Sequence, residues 1–467
     1  MPLSFTLDPT EPEPLFLQIA ARLRAAITGG RMVAGTRLPS VRALAVQLSV
    51  ATGTVEDAYA LLRAEGAIRT RPSAGTVVCG SAGTRIEVPE HTPFMFPPGS
   101  AAERADPLPL QIGLPALDDF PARAWSKLMV QTVRGVLPNQ LADPDPCGLP
   151  ELRREVAAYL GRARGVACTP EQVLITAGYQ GALALVRSVL MKSGDPVWIE
   201  DPGYPPARQA LEAAGARVVP VRVDHDGIRV ASGKVAAPRA RLAVVTPTHQ
   251  YPTGAALSLP RRMELLAWAA EADARILEDD YDSEFRYAGR PLPALKSLDR
   301  GQRVLYAGSF SKVLFPALRL GYLVVPPELA TAFVRAARLL TAGQPPLEQS
   351  AVAAFMASGQ FARHIKRMRM LYAERRQVLA AAMEAGGVTV DTRPGGMHLL
   401  ARFPGADDDS TLAKRAAAAG LGPIALSGLT MAHDCGQGLL LGFANLPVAE
   451  AETVVARLLA AIGFSRP

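Results

Sequence analysis

The sequence predicts an α/β protein in two parts, a small and mainly helical N-terminal domain and a large C-terminal domain built on a mostly parallel sheet. Three observations carry this. Before Gly80, three helical periodicities follow one another closely. Ser81 to roughly Pro107 is rich in Pro, Gly, Ala and Glu without periodicity, which is linker composition. From Gln172 onward apolar runs alternate with helical patterns, as in a parallel sheet covered by helices on both faces. The expected boundaries are 11–80 for the first domain, 81–107 for the linker and 108–467 for the second domain.

Composition narrows the function classes. A chain of 467 residues suits two or three domains. The net charge of +7 and pI near 9.4 permit an anionic partner, but the excess is small for this length. Cys79, Cys147, Cys168 and Cys435 lie far apart, so neither a disulfide framework nor a metal site is expected. No basic leader precedes an apolar core and no apolar run reaches membrane-spanning length, so a cytoplasmic protein with no membrane partner is expected.

In the first domain, Leu15, Ile19, Leu23 and Ile27 recur one turn apart and predict a helix that Gly29-Gly30 stops. Pro39-Ser40 starts a short helix over Val41 to Leu48. Ser49 to Thr52 is a turn into a third helix over Gly53 to Glu65, ended by Gly66. Two short helices joined by a tight turn form a helix-turn-helix, whose second helix would enter a DNA major groove. Ala67-Ile-Arg-Thr and Gly75-Thr-Val-Val read as two strands around Arg71-Pro-Ser-Ala, a basic wing.

This domain resembles the winged helix-turn-helix of GntR-type bacterial repressors. The likeness runs through Pro14-Leu-Phe-Leu-Gln-Ile, Gly35-Thr-Arg-Leu-Pro-Ser-Val-Arg-Ala-Leu-Ala, Thr54-Val-Glu-Asp-Ala-Tyr, Leu62-Arg-Ala-Glu-Gly and Gly75-Thr. The resemblance implies that double-stranded DNA is the partner. Such proteins often carry arginine where this chain has Thr52, and sometimes where it has Glu56; arginine is the commonest bidentate reader of guanine. Its loss leaves Arg42, Thr52, Thr54, the wing residues Arg69 and Arg71, and Gly75 as the expected DNA-binding residues.

In the second domain the candidate strands are Val173-Leu-Ile-Thr, Pro196-Val-Trp-Ile, Arg217-Val-Val-Pro-Val, Leu242-Ala-Val-Val, Arg275-Ile-Leu, Val304-Leu-Tyr and Leu320-Gly-Tyr-Leu-Val-Val. Helical patterns at 181–189, 207–214 and 261–272 fill the gaps. Ligands of such sheets bind beyond the carboxyl ends of the strands. Gly178-Tyr179-Gln180 follows the first strand and opens a helix, whose free amides suit a phosphate. Asp201-Pro-Gly-Tyr204 follows the second and offers an aromatic face to a flat ring. Thr246 to Gly254, Glu278 to Tyr281 and Ser309 to Lys312 follow the fourth, fifth and sixth.

Lys312 is one of seven lysines in a chain that otherwise uses arginine, and it sits among Ser309, Ser311 and Arg319. A lysine amine can deprotonate and attack a carbonyl, while the hydroxyls and the fixed cation would hold a phosphate. That layout suits pyridoxal 5′-phosphate bound through a Schiff base. The cofactor's ring nitrogen stays protonated only beside a carboxylate; Asp279 is the chosen partner, with Asp280 as the nearest rival. Tyr281 can donate to the ring's phenolate oxygen. His249 reads as a structural hydrogen-bonder, and Asp407-Asp408-Asp409 as a solvated turn.

From about Gln111 onward the chain resembles fold-type I aminotransferases, and more closely the aminotransferase-like domain of MocR/GabR-type regulators. The motifs are Glu278-Asp-Asp-Tyr-Asp-Ser-Glu-Phe-Arg-Tyr and Gly308-Ser-Phe-Ser-Lys-Val-Leu-Phe-Pro-Ala-Leu-Arg-Leu-Gly-Tyr. The resemblance implies a mostly parallel sheet plus a small C-terminal α+β subdomain. It implies that Lys312 carries the Schiff base, Asp279 pairs with the ring nitrogen and Tyr281 meets the ring oxygen. Ser309, Ser311, Arg319, Tyr179 and Gln180 would hold the phosphate, and Tyr204 would stack. It further implies a head-to-tail homodimer in which each DNA-binding domain lies over the partner's second domain; a linker of about 25 residues spans up to ~80–90 Å when extended.

Three departures separate this chain from working aminotransferases. Tyr251 stands where they carry asparagine before Pro-Thr-Gly. Leu440 stands where their substrate-carboxylate arginine falls, and Asp143 where family members often show tyrosine. These departures favour a regulator that senses the cofactor, an amine or an amino acid, with at most vestigial aminotransferase activity. The alternative is an aminotransferase with a DNA-binding extension. Arg208 and Arg402 are the nearest candidates to hold an effector in place of the missing arginine.

Overall fold

The computed structural model describes residues 5–8, 13–71, 75–79, 106–136, 138, 142–289, 292–405 and 407–464. The chain divides into two compact units, 1–104 and 105–467. The linker expected over 81–107 lies outside the described residues except at its last two positions, as does the wing tip at 72–74.

In the first unit, helices α1 (Leu15–Thr28), α2 (Val41–Leu48) and α3 (Thr52–Ala64) precede strands β1 (Ile68–Arg71) and β2 (Gly75–Val78). Ile19 and Leu23 of the predicted stripe are fully buried against Val55, Ala58, Tyr59 and Leu62 of α3. Ser40 caps α2 by accepting from the Ala43 amide at 3.2 Å. Ser49 then takes a left-handed conformation (φ 54°), closing α2 and turning the chain into α3. The Tyr59 hydroxyl donates to the Pro39 carbonyl at 2.9 Å, which ties α3 to the entry of α2. β1 and β2 pair antiparallel, Arg71 opposite Gly75, as the wing reading requires.

The second unit opens with α4 (Ala122–Gly135) and α5 (Pro150–Arg164). Then follow β3 (Val173–Thr176), α6 (Gly178–Leu190), β4 (Pro196–Asp201), α7 (Pro205–Ala213), β5 (Arg217–Asp224), β6 (Gly227–Ile228) and α8 (Val230–Ala236). Next come β7 (Leu242–Val245), α9 (Leu259–Glu271), β8 (Arg275–Asp280), β9 (Val304–Ser309) and β10 (Gly321–Val324). These strands form one sheet in the order β3-β10-β9-β8-β7-β4-β5-β6. β4, β5, β7, β8 and β9 are parallel, and β10 runs against both β3 and β9, so β3 points the same way as the parallel set. β3, β7 and β10 are buried at every residue because helices cover both faces, which is why they read as unbroken apolar runs.

The remaining helices are α10 (Ala330–Leu340), α11 (Pro346–Ala357) and α12 (Gln360–Ala385). The C-terminal subdomain contains β11 (Thr389–Asp391), β12 (His398–Arg402), α13 (Asp409–Ala418), β13 (Ile424–Ala425), β14 (Leu439–Gly442) and α14 (Ala451–Ile462). Its strands form an antiparallel sheet in the order β11-β12-β14-β13. The expected solvated turn at Asp407 to Asp409 needs correction. Asp408 caps α13 by accepting from the Thr411 amide at 3.1 Å, and Asp409 is buried. Asp409 accepts from the amides of Ser427 and Gly438, each at 3.0 Å, so it ties α13 to the segments flanking β13.

Candidate functional site

The aligned directions of β3, β4, β7, β8 and β9 bring the predicted residues to one edge of the sheet. Tyr179 and Gln180 lie in the first turn of α6, just past β3. Tyr204 caps α7 after β4. Asp279 occupies the penultimate position of β8, with Tyr281 just beyond it, and Ser309 ends β9.

Lys312 follows in the β9–β10 connection and donates to the Gly113 carbonyl at 2.7 Å. Gly113 adopts φ +78°, and a Cβ there would lie 2.8 Å from the Lys312 amine, so only glycine admits this approach. Burial lowers the pKa of Lys312, against the opposing carboxylates of Asp282 and Asp279. Burial pushes Asp279 well above the usual carboxylate range, repulsion from Asp280 and Glu200 adds to it, and Lys312 opposes it.

The structure separates the two aspartates of β8, which alternate faces as strand residues must. Asp280 is buried and accepts from Arg164 Nε at 2.8 Å and Nη2 at 2.7 Å, and from the Tyr306 hydroxyl. Arg164 also donates to the Thr248 hydroxyl at 2.9 Å and to the Leu292 carbonyl at 2.8 Å. Asp280 is therefore committed to a structural ion pair, and Asp279 is left facing Lys312. Glu278 is likewise structural: it accepts from the Leu295 and Lys296 amides, each at 2.8 Å.

His249 holds Tyr281. Its Nδ1 lies 2.9 Å from the Tyr281 hydroxyl and 3.0 Å from an Asp282 carboxylate oxygen. A carboxylate can only accept, so Nδ1 carries a proton. The same N–H faces the Tyr281 oxygen, which accepts and keeps its own proton free to donate elsewhere. An aromatic group closes this side: Tyr204 meets Tyr179 edge-on at 6.2 Å and Tyr251 at 5.7 Å, and Tyr251 meets Tyr281 at 6.2 Å.

Unsatisfied donors mark the other side. The Gln180 amide nitrogen is buried without a hydrogen-bond partner among the described residues, and the Tyr179 hydroxyl is buried beside Asp279, burial first and the neighbouring charge second raising its pKa. α6 has no side-chain cap, so its first amides are also available. Arg319 stays exposed in a left-handed conformation and reaches the Ala177 carbonyl at 3.5 Å. The Ser309 hydroxyl accepts from the Ser311 amide at 3.2 Å.

Leu440 lies fully buried in an apolar cluster with Leu400, Leu426 and Leu429, against which Ile112 and Tyr251 pack. Two of the three departures thus fall in one apolar wall. Asp143 is exposed on the segment before α5. Arg208 lies 3.9 Å from Glu212, and Arg402 donates to the Gln437 carbonyl at 2.9 Å; neither enters the Leu440 cluster.

Several residues escaped sequence reasoning. Asp201 is buried and accepts from the amides of Met431 and Ala432 at 2.8 Å and His433 at 2.9 Å, anchoring a subdomain loop to the end of β4. Glu200 accepts from the Thr246 hydroxyl at 2.5 Å, and burial pushes its pKa up to about 7 despite that bond. His398 faces His249 at 5.6 Å, and burial lowers its pKa to about 4. Gly113 was readable only as one glycine in an apolar stretch and Asp201 only as the opening of the Asp201-Pro-Gly-Tyr204 motif; Glu200 and His398 carried no local signal.

In the first unit, Arg42, Thr52, Arg69 and Arg71 are exposed, while Thr54 and Gly75 are half-buried. Thr52 opens α3 one residue earlier than its periodicity predicts. Arg42, Arg69 and Arg71 take part in no ion pair among the described residues. Gly75 has φ +70°, and a Cβ there would come within 3.2 Å of Arg37, an exposed cation beside the wing that the sequence did not single out.

Residues 15–78 match the gntR family of bacterial regulatory proteins, and residues 118–433 match aminotransferase class I and II. The probable rhizopine catabolism regulatory protein MocR of Rhizobium meliloti is 37% identical over 94% of this chain and 92% of its own length. The HTH-type pyridoxine biosynthesis transcriptional regulator PdxR of Corynebacterium glutamicum is 33% identical over 95% of each. Among solved structures, LysN, an alpha-aminoadipate aminotransferase of Thermus thermophilus, is 30% identical, with a TM-score of 0.69 over 76% of this chain and 92% of that one. With a GntR helix-turn-helix ahead of an aminotransferase fold, and relatives of that construction along nearly its whole length, the chain belongs to the MocR-type transcriptional regulators.

Proposed function

We propose that this regulator binds pyridoxal 5′-phosphate through Lys312 and uses the cofactor, alone or with an amine, to control its hold on a DNA operator. The observation that carries the reading is the convergence on one sheet edge of an amine whose pKa burial lowers, a carboxylate whose pKa burial raises, and a buried amide without a partner among the described residues. Each answers one part of this cofactor. Lowering the pKa of Lys312 raises the neutral fraction able to bond an aldehyde carbon. Asp279, costly to ionise alone, gains a partner by holding a proton at the ring nitrogen. Tyr281, its proton left free by His249, donates to the ring oxygen, and Tyr204 covers the ring face. Tyr179, Gln180, Ser309, Ser311, Arg319 and the α6 amides take the phosphate. Once bound, the cofactor would supply an electrophilic carbon at which a primary amine could exchange with Lys312.

A relative named for regulation of pyridoxine biosynthesis supports the cofactor itself as one signal. The alternative, an amino-acid aminotransferase, is disfavoured by the Leu440 wall, since an apolar cluster cannot neutralise a substrate carboxylate. On the DNA side, Arg42, Thr52, Thr54, Arg69, Arg71 and Gly75 form the contact surface, with Arg37 as an added candidate. The regulator acts as a homodimer, with each DNA-binding domain over its partner's second domain. Operator gel shifts run beside single-turnover assays with amino acids test the reading. Operator binding without turnover supports it; turnover without operator binding would replace it with the enzyme.

A further inference from the structure

Beyond Tyr281 lies a cavity of about 210 Å³ that none of these roles uses. Thr248, His249, Asp282, Ser283, Arg286 and Arg393 contribute to its walls. Glycine brings them close: a Cβ on Gly396 would fall 2.5 Å from His249 Nε2, and one on Gly254 would fall 2.8 Å from the Arg393 stem. The cavity's charges are unequally matched. Asp282 is engaged by His249, and Arg393 pairs with Asp391 at 3.2 Å. Arg286 has no ion pair or hydrogen bond from its side chain among the described residues, and its Nε is buried. A guanidinium cannot shed its charge, so a partly buried and unpaired one leaves a donor fork without an acceptor. Thr248 already accepts from Arg164, which leaves its hydroxyl proton to give.

We propose that this cavity is a second ligand site, for a small anion bearing a carboxylate or a phosphate, held by Arg286 and Arg393. His249, whose Nδ1 faces Tyr281 and Asp282, also lines the cavity. This site does not depend on the cofactor reading.

The test is calorimetric titration of the full-length, cofactor-loaded protein with succinate and, separately, with inorganic phosphate. Saturable binding of at least one, with a Kd below about 1 mM, is expected. Binding of succinate alone identifies a carboxylate site, and binding of phosphate alone a phosphate site. Arg286→Gln should weaken binding roughly ten-fold or more, the loss of one charge-assisted hydrogen bond. Arg393→Gln should act in the same direction, and both variants should keep the wild-type melting temperature and cofactor absorbance. Absence of saturable binding by either anion, or wild-type affinity in both variants, overturns the proposal. Failure of the wild-type protein to take up the cofactor counts against the cofactor reading alone, because dependence on Arg286 is read independently.

Discussion

Two regions of the second domain are built on opposite principles. Around Lys312, polar groups converge, and several are poorly satisfied within the protein: the amine leans on one backbone carbonyl, Asp279 resists ionisation, and Gln180 has no partner for its amide among the described residues. Around Leu440, four leucines close on one another with Ile112 and Tyr251 alongside. Burying unpaired polar groups costs free energy, whereas an apolar cluster contributes to stability. A ligand that completes the first kind of region would offset that cost. The contrast supports the proposed ligand on the Lys312 side and disfavours an amino-acid carboxylate on the Leu440 side.

Lys312→Ala should break the polar region most severely. The variant is expected to lose the visible absorption of the bound cofactor and to release it on gel filtration; a wild-type band would remove Lys312 from its role. Asp279→Ala should weaken cofactor binding by about 2–5 kcal/mol, the cost of leaving a buried charge without its partner. Equilibrium dialysis measures it, and Asp280→Ala supplies the contrast, since that change should lower folding stability by freeing Arg164. Leu440→Ala should cost about 2–5 kcal/mol of stability through the cavity it opens, while cofactor absorbance stays unchanged. An altered spectrum with unchanged stability would mean that the apolar wall is part of the cofactor site.

The pH dependence tests the same polar floor. Burial raises Glu200 to about 7, so in the fold it keeps its proton at pH values where the unfolded chain has lost it. Its contribution is complete below the unfolded pKa near 4.5 and is lost as pH rises through about 7, at most about 3 kcal/mol. Glu278 and Glu284, also raised to about 7, add in the same direction. His398, lowered to about 4, opposes them by losing stability as pH falls from about 6.5 toward 4. Melting curves between pH 5 and 8 should therefore decline with rising pH, and Glu200→Gln should make that decline shallower. The smallest effects belong to the DNA surface. Arg42→Ala and Arg71→Ala should each weaken operator binding and leave cofactor absorbance intact. Each should also make the log–log salt dependence shallower by about 0.9 for every phosphate it no longer neutralises.

What the sequence revealed and what it hid have separate physical causes. Strand ends were legible because β3 and β7 are buried on both faces and read as unbroken apolar runs; Tyr179, Asp279 and Lys312 followed from the rule about carboxyl ends. The helix-turn-helix was legible because Ile19 and Leu23 keep helical spacing and Ser40 signals a cap. Asp280 stayed the nearest rival to Asp279, because what commits Asp280 elsewhere is Arg164, which is distant in sequence and reaches it only through the fold. Asp409 looked solvated for the same reason, its donors lying on Ser427 and Gly438. The cavity at Arg286 depends on which arginines find partners, and no local pattern records that.

The central claim is that ligand binding in the second domain changes operator affinity in the first. Equal affinity of the cofactor for the DNA-bound and free states would shift nothing. The most direct test is titration of apo-protein with pyridoxal 5′-phosphate on a labelled operator, with Lys312→Ala in parallel. The account predicts a change of roughly 5- to 150-fold in operator affinity, typical of coupled sites, and its absence in the variant. Superimposable operator curves with and without the cofactor, and with a panel of amines added, would contradict it.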